Sequence, residues 1–409
     1  MFNISHYTFA MNGGAGKVAK TLFQNQSLLN DYRVKFYYKN SNSLWSSPFA
    51  SPFTTLRAGL DDIFVKSSNK YFVSYFRNSN ARKFIKTFNQ DESIVHLHWL
   101  PGILDFNKVQ HDILRKKNFV WTLHDFEPIT GGCHYNNGCL KLSDNCEKCP
   151  AVKVRYQKSI ENRFKQKVSY FDSISNLIFV APSNLVAEQL QKSKLGSRFE
   201  SIIIENPIDE VFFLNPKKYK LNNKSNSLLK LGFVSSRVGD PRKNLNSIKS
   251  VLNQCIEKCD FDILLTIIGG GNNKLQADNH SVTKNGRKLE IKNLGFISNS
   301  NALAASYKEM DYLISFSSSE TFGLTVAEAA ACGTPSIIVG GTGTEDLILN
   351  GVNGIILPSI SSLVDLFLSK DIFENLSKLS LTAHEIAIKR WSPKRVLKKY
   401  ESVYSKYLG

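Results

Sequence analysis

The sequence predicts an α/β protein built from two Rossmann-like domains, each with a parallel sheet. Three observations carry that expectation: the length, the alternation of short apolar runs with helical stretches, and one break in that alternation. At 409 residues the chain exceeds the roughly 250–300 residues at which a single core stops growing. Hydrophobic residues make up 42% and charged residues 21%, ordinary globular values that leave material for two buried cores. Apolar runs at Val34–Tyr38, Ile94–Leu97, Phe119–Leu123 and Leu177–Val180 read as buried strands in the first half. Leu229–Val234, Ile263–Ile268, Tyr312–Phe316, Ser336–Val339 and Gly354–Leu357 do so in the second. Helical patterns separate them, among them Gly16–Leu29, Leu245–Ile256 and Thr325–Ala331. Strands alternating with helices imply parallel sheets covered on both faces.

The break lies at Pro207–Asn226, where two prolines, several lysines and a run of asparagines replace the apolar pattern. It divides the chain into a first domain over 1–206, a linker over 207–226, a second domain over 227–382 and a helical tail over 383–409. The tail is interrupted at Trp391-Ser392-Pro393, where Ser392 is placed to cap a helix beginning at Pro393. A kinked terminal helix of this kind would cross back to the first domain.

Fifty-two Lys and Arg against 35 Asp and Glu leave a net charge of +17, which favours anionic partners. Nucleoside diphosphates, nucleic acid and an anionic membrane leaflet all qualify. The denser basic stretches, Arg115-Lys116-Lys117, Lys153 to Lys167 and Lys389 to Lys399, read first as solvated helix faces, with a membrane-surface role as the alternative. No nucleic-acid motif with interleaved aromatics accompanies them, so nucleic acid is not an expected partner. No apolar run approaches the roughly 18–20 residues that span a bilayer. The start, Met1-Phe2-Asn3-Ile4-Ser5-His6, lacks a basic segment followed by an apolar one. A cytoplasmic protein is expected, peripheral on the inner leaflet if the basic stretches serve that purpose.

Two strand-to-helix junctions offer places for an anion. Near the N-terminus, Asn12-Gly13-Gly14-Ala15-Gly16 follows a strand and opens a helix. Gly13 and Gly14 let the backbone approach a phosphate beside the positive end of the helix dipole. A plain tight turn explains them equally well, and the spacing fits neither the dinucleotide fingerprint nor a P-loop. The second junction is the segment from Ser319 to Pro335, which follows the strand Tyr312–Phe316. Glu320 then sits at the carboxyl end of a parallel strand, where open α/β sheets bind ligands. Glu328 lies eight positions on, so a helix starting near Phe322 would turn both carboxylates to one crevice. Phe322, Gly323 and Leu324 would offer backbone N–H groups to a phosphate, while the carboxylates accept hydrogen bonds from sugar hydroxyls. Glu320 as a mere cap and Glu328 as a solvated residue are the bland alternatives, and the Ala-rich surroundings of Glu328 argue against the latter.

This segment, Glu-x7-Glu followed by Ala331-Cys332-Gly333-Thr334-Pro335, resembles the retaining GT-B glycosyltransferases of family 4, or group 1. The resemblance continues through Gly341-Thr342-Gly343-Thr344-Glu345-Asp346 to Asn350-Gly351-Val352-Asn353-Gly354 and covers most of the second domain. It implies that Glu320 contacts the donor sugar and Glu328 the ribose hydroxyls. Upstream, the family places an Arg and a Lys that grip the donor diphosphate. Lys243, in Pro241-Arg242-Lys243-Asn244-Leu245, matches well; Arg237 matches in a longer loop where Arg242 competes for the role. Two fixed cations suit the charge that develops on a departing phosphate; a surface charge is the alternative for Lys243. In the first domain, His124 of Trp121-Thr122-Leu123-His124-Asp125 stands just past a buried strand, at the family's own histidine. A lone His is more often a satisfied core residue, but this position favours orienting the donor sugar or acceptor.

Four of the seven cysteines, Cys133, Cys139, Cys146 and Cys149, fall in one loop over 130–150. A reducing compartment disfavours disulfides, so a structural zinc and free structural thiols are the two leading readings, with disulfides third. The first pair is spaced C-x5-C, and His134 is a substitute ligand on the zinc reading. The loop also makes the chain similar to bacterial transferases that build envelope polysaccharides, colanic-acid-type enzymes among them. The resemblance then implies a retaining hexosyltransferase moving sugar from a UDP- or GDP-sugar to a glycan or polyprenyl-diphosphate-linked acceptor. No catalytic cofactor is expected. A nucleotide-sugar epimerase or a storage-polysaccharide or sucrose-type synthase of the same architecture is the alternative.

Overall fold

A computed structural model describes residues 2–11, 13–38, 93–101, 117–135, 138–139, 141–172, 174–217, 227–271, 280–369 and 371–407, together with Val73. Asn12, Arg115, Lys116 and the 218–226 part of the expected linker lie outside the described residues. The chain divides into two compact units, Met1–Glu205 with Val396–Gly409, and Asn206–Arg395.

The first unit is built on six strands: β1 (Phe2–Thr8), β2 (Tyr32–Tyr38), β3 (Ile94–Leu97), β4 (Asn118–Thr122), β5 (Leu177–Ala181) and β6 (Glu200–Ile203). They lie in the order β2-β1-β3-β4-β5-β6, every neighbouring pair parallel. β3, β4 and β5 are almost wholly buried, which is why they read in sequence as continuous apolar runs rather than alternating ones. Trp121 of β4 stacks at 6.0 Å on both Phe171 and Phe179, fastening the helix Gln157–Phe171 to the sheet.

The second unit has seven strands: β7 (Leu228–Arg237), β8 (Asp262–Gly270), β9 (His280–Lys284), β10 (Arg287–Gly295), β11 (Tyr312–Ser315), β12 (Ser336–Val339) and β13 (Gly354–Leu357). Their order is β13-β12-β11-β7-β8-β10-β9. Without β9 this is the doubly wound Rossmann sequence of strands, whose direction of growth reverses between β7 and β11. β9 departs from the expectation of purely parallel sheets, since it pairs antiparallel with β10. The connecting turn explains it: Asn285 (φ 50°) and Gly286 (φ 76°) are both left-handed, as a two-residue hairpin turn requires.

Two boundaries differ from those the sequence suggests. The expected linker is core at its start: Ile208 and Phe212 are each 2% exposed, and Phe212 meets Tyr307 edge-on at 6.1 Å. Residues 206–217 therefore belong to the second unit, held also by Lys217 N–H donating to Cys332 O at 2.8 Å. The tail expected from residue 383 does not begin there, because the helix Leu376–Trp391 packs its Ala383, Ala387 and Trp391 in the second unit. The change of unit comes at Val396, early in the helix Pro393–Ser405. Ser392 stands at the cap position of that helix, its carbonyl accepting from Arg395 N–H at 3.0 Å, while its hydroxyl donates back to Ile388 O at 2.8 Å. No helix among the described residues is long and apolar enough to cross a membrane.

Candidate functional site

In an open α/β sheet the ligand crevice opens at the carboxyl ends of the strands where the winding reverses. In the second unit those strands are β7 and β11, and the loops leaving them carry the predicted groups. β7 ends on Arg237. Asp240 then caps a short 3-10 turn, Pro241–Lys243, by accepting from Arg242 N–H at 3.0 Å. Asn244 leaves this turn in the left-handed conformation, φ 56°. Its side-chain amide donates to Phe316 O at 2.8 Å, and Arg242 O accepts from Ser318 N–H at 2.8 Å. These two bonds tie the loop after β7 to the loop after β11, and Lys243 Nζ ion-pairs with Glu320 Oε1 across the junction.

Geometry separates the two arginines. Arg242 is clamped by Asp240, Nε to Oδ1 at 3.1 Å and a terminal nitrogen to Oδ2 at 2.5 Å. Burial alone would raise the Asp240 carboxyl, but its bonds to Arg242 and the charges of Arg242 and Lys243 hold it below its usual value. The Arg237 guanidinium is exposed and makes no ion pair among the described residues, whereas Arg242 is taken up by Asp240 and Lys243 by Glu320.

The helix Leu324–Ala331 follows Gly323 at φ 98°. Phe322 is core, 2% exposed and edge-on to Trp391 at 6.3 Å. Its side chain therefore contributes packing. The N–H groups of Phe322, Gly323 and Leu324 donate to no backbone carbonyl among the described residues, as expected of a helix start. Glu328 is 5% exposed and accepts from the Tyr307 hydroxyl at 2.9 Å. Burial and the Glu328 carboxylate together push the Tyr307 phenol well above its usual value, so Tyr307 remains a donor.

A second loop closes over the Glu320 segment. Gly343 N–H donates to Glu320 O at 2.9 Å, and a Cβ on Gly343 would come within 2.4 Å of Thr321 O and 2.8 Å of Glu320 O. Both obstacles are backbone and cannot swing aside. Gly343→Ala is therefore expected to cost about 1–3 kcal/mol, the usual range for overpacking. Denaturant melts with an unchanged midpoint would show that the loop adapts freely.

In the first unit the glycine loop follows β1. Gly13 has φ 90° with open space where a Cβ would lie, and Gly14 begins the helix Gly14–Gln26. Gly16 packs against the chain itself, since a Cβ there would lie 2.3 Å from Ala10 O and 2.4 Å from Met11 O. His124 follows β4 and is half-buried, its ring stacked on His98 at 5.4 Å. Burial pushes its pKa down to about 4, against an opposing pull from Asp125. Asp125 organises the loop that follows. It accepts from Trp99 Nε1–H at 2.6 Å, from His134 Nδ1 at 2.5 Å and from Glu127 N–H at 3.0 Å. Burial would raise its carboxyl, but the nearby His134 and these hydrogen bonds hold it below its usual value. His134 is thus a buried partner of Asp125, and that nitrogen is not available as a substitute thiol-site ligand. Lys167, the innermost of the basic stretch, is also buried and donates to Glu127 O at 2.6 Å and Thr130 O at 2.8 Å. Lys158 and Lys165, by contrast, are exposed and pair with Glu161, as a solvated helix face would.

Burial pushes the thiols of Cys139 and Cys146 up, Cys146 to about 12; the hydrogen bond between Cys133 and Cys149 is foremost in raising Cys133. Cys146 Sγ also accepts from Gly131 N–H at 3.3 Å. Among the described residues, the ligand atoms that gather within 4.8 Å of one another are those of His6, His96 and His98, not of the four cysteines.

Residues 216–368 match the family model of glycosyl transferases group 1. The second unit is a glycosyltransferase domain. A 61-residue stretch is 31% identical to the putative colanic acid biosynthesis glycosyl transferase WcaC of Escherichia coli, covering 14% of this chain and 15% of that protein. Over the whole chain the fold is similar to Anabaena Alr3699/HepE, solved in complex with UDP and glucose (14% identity, TM-score 0.57, 99% of this chain and 100% of that one). It is also similar to sucrose-phosphate synthase from Thermosynechococcus elongatus (13% identity, TM-score 0.64, 100% and 99%). Two Rossmann-like α/β units are the GT-B architecture. Within the glycosyltransferase domain, sequence reasoning missed Tyr307, Asn244 and Asp240. A tyrosine one helix before the motif carries no local signal, whereas Asp240-Pro241 followed by Asn244 was a readable turn signature.

Proposed function

We propose that the protein is a retaining hexosyltransferase that moves sugar from a UDP- or GDP-sugar to a glycan or polyprenyl-diphosphate-linked acceptor, in the synthesis of a bacterial surface polysaccharide. The observation that carries this reading is the Lys243–Glu320 ion pair, formed between the loops of β7 and β11 beside the start of the helix Leu324–Ala331. In the donor-free protein each charge neutralises the other. A nucleoside diphosphate arriving at the helix start takes over Lys243 and is met by Arg237. Glu320 is then released to accept hydrogen bonds from the sugar, and Glu328 to accept them from the ribose. Gly13 and Gly14 leave room for phosphate or acceptor, and His124 orients the sugar.

The UDP and glucose of the Anabaena protein and the colanic-acid role of the Escherichia coli relative support the choice of donor and pathway class. A panel of nucleotide sugars, read by thermal shift and then by the mass of the product on lipid-linked, glycan and sugar-phosphate acceptors, tests it. Donor isomerised without transfer, or transfer to a free sugar phosphate alone, sinks the polysaccharide reading in favour of an epimerase or a sucrose-type synthase. The +17 charge suits an anionic inner leaflet near such acceptors.

The thiols of Cys133, Cys139, Cys146 and Cys149 are where a structural zinc would be held, since thiolate is the form that binds metal and binding displaces the thiol protons. Purified protein should then carry near-stoichiometric zinc. Chelation should expose the segment from Gly131 to Pro150 to proteolysis before the strand core. Metal-free protein with all four thiols freely alkylated under native conditions would rule the zinc out and leave the transferase reading intact.

A further inference from the structure

Side chains two apart on a strand share a sheet face, so His6 of β1, His96 and His98 at and just past β3, and Thr122 and His124 at and just past β4 form one polar stripe. His6 stands directly opposite His96 in the parallel register. His6, His96, His98 and Gln26 are each at most 1% exposed, yet their side-chain polar atoms are paired. His6 Nε2 lies 2.6 Å from Gln26 Oε1, His6 Nδ1 lies 3.0 Å from His98 Nε2, and His98 Nδ1 lies 3.1 Å from His124 Nε2. On the other side, Gln26 Nε2 donates to the Tyr404 hydroxyl at 3.2 Å. That hydroxyl lies 2.8 Å from His96 Nδ1, and His96 Nε2 lies 2.9 Å from Thr122 Oγ1.

The direction of every proton in this chain follows from one group. A carbonyl oxygen only accepts, so Gln26 Oε1 requires the proton of His6 on Nε2. A neutral His6 then presents a lone pair at Nδ1, which requires His98 to carry its proton on Nε2. The lone pair of His98 at Nδ1 in turn requires His124 to donate from Nε2. Burial holds His6 and His124 near 4 and His98 well below its usual value, so all three rings are neutral at neutral pH. A neutral imidazole has one donor and one acceptor nitrogen, so its tautomer decides what it can recognise.

We propose that Gln26, His6 and His98 are positioning residues that hold His124 as the neutral Nε2–H tautomer, with Nδ1 as a hydrogen-bond acceptor. His124 so held is matched to a sugar hydroxyl, which can donate to Nδ1, and mismatched to a phosphate oxygen, which cannot. This consequence rests on the reading of His124 as a sugar-orienting group; the tautomer itself does not.

The tautomer is read directly in donor-free full-length protein labelled with 15N-histidine, by two-bond 1H–15N correlation at neutral pH. Removal of single histidines assigns the rings. His6, His98 and His124 should each show a protonated Nε2 and an unprotonated Nδ1. Gln26→Leu, three links from His124, should release the chain and shift His124 toward the Nδ1–H form. An effect of packing alone would lower the melting temperature and leave that tautomer unchanged. Wild-type His124 found as Nδ1–H or as imidazolium overturns the proposal, as does a folded Gln26→Leu protein with an unaltered tautomer. So does about one equivalent of metal bound to His6, His96 and His98, read by elemental analysis and lost on His96→Ala. If Gln26→Leu does not fold, the wild-type spectrum decides the direction by itself. None of these measurements uses transferase activity, so a failed donor panel and a failed relay remain separate results.

Discussion

Lys243→Ala is expected to reduce turnover about 10²–10³-fold, on the order of 2.7–4 kcal/mol of lost transition-state stabilisation, while the acceptor Michaelis constant stays nearly constant. The diphosphate gains charge as the sugar leaves, so a fixed cation beside it contributes more in the transition state than in the bound donor complex. Lys243 is the cation best placed to act this way, since its loop is tied to the Glu320 loop by Asn244 and Ser318. The fold should survive, because both partners of the pair retain about a fifth of their side-chain exposure and the remaining carboxylate reaches water. Arg242→Ala is the comparison. Its guanidinium is already neutralised by Asp240, so its loss should affect the shape of the loop and turnover less severely. Steady-state kinetics on both variants decides between them. Raised Michaelis constants with unaltered turnover in Lys243→Ala would remove the lysine from the departing phosphate.

What was legible in the sequence divides along physical lines. β3, β12 and β13 run over the residues their apolar composition predicts, because strands buried on both faces need no pattern beyond hydrophobicity. The β9–β10 hairpin was equally readable. Asn285-Gly286 follows Val282 and precedes the alternation Leu289, Ile291, and that pair of left-handed residues is a strong hairpin signal. The expectation of purely parallel sheets passed over it. Glu320 was legible because a strand end and a helix start are local features, and Lys243 through the family resemblance. Their pairing was not, since it depends on two loops 77 positions apart. The histidine chain was further out of reach: His6 and His98 are 92 positions apart, and only the sheet register brings them together. The surroundings of His134 were equally out of reach. Its place beside Cys133 suggested a metal ligand, and the pairing of its Nδ1 with Asp125, nine residues away, carried no sequence signal.

Glu328→Gln should weaken nucleotide binding by about 1.5–3 kcal/mol, or roughly 10- to 150-fold, in a protein that still folds. The carboxylate is 5% exposed, and a buried charged acceptor forms stronger bonds to hydroxyls than a neutral amide does. Glutamine keeps the length and can still accept from the Tyr307 hydroxyl through its oxygen. It then turns its NH2 group, a donor, to the position where the carboxylate would accept from the ribose. Tyr307→Phe separates the two roles of this carboxylate. It removes the bond at 2.9 Å that orients Glu328 without removing the charge, so stability should fall by about 0.5–1.5 kcal/mol and affinity by less than in Glu328→Gln. Titration calorimetry with the nucleoside diphosphate, alongside denaturant melts, gives both quantities for both variants. Equal affinity for Glu328→Gln and the unaltered protein would mean that Glu328 serves only to hold Tyr307. The ribose would then have to be recognised from elsewhere in the loop after β11.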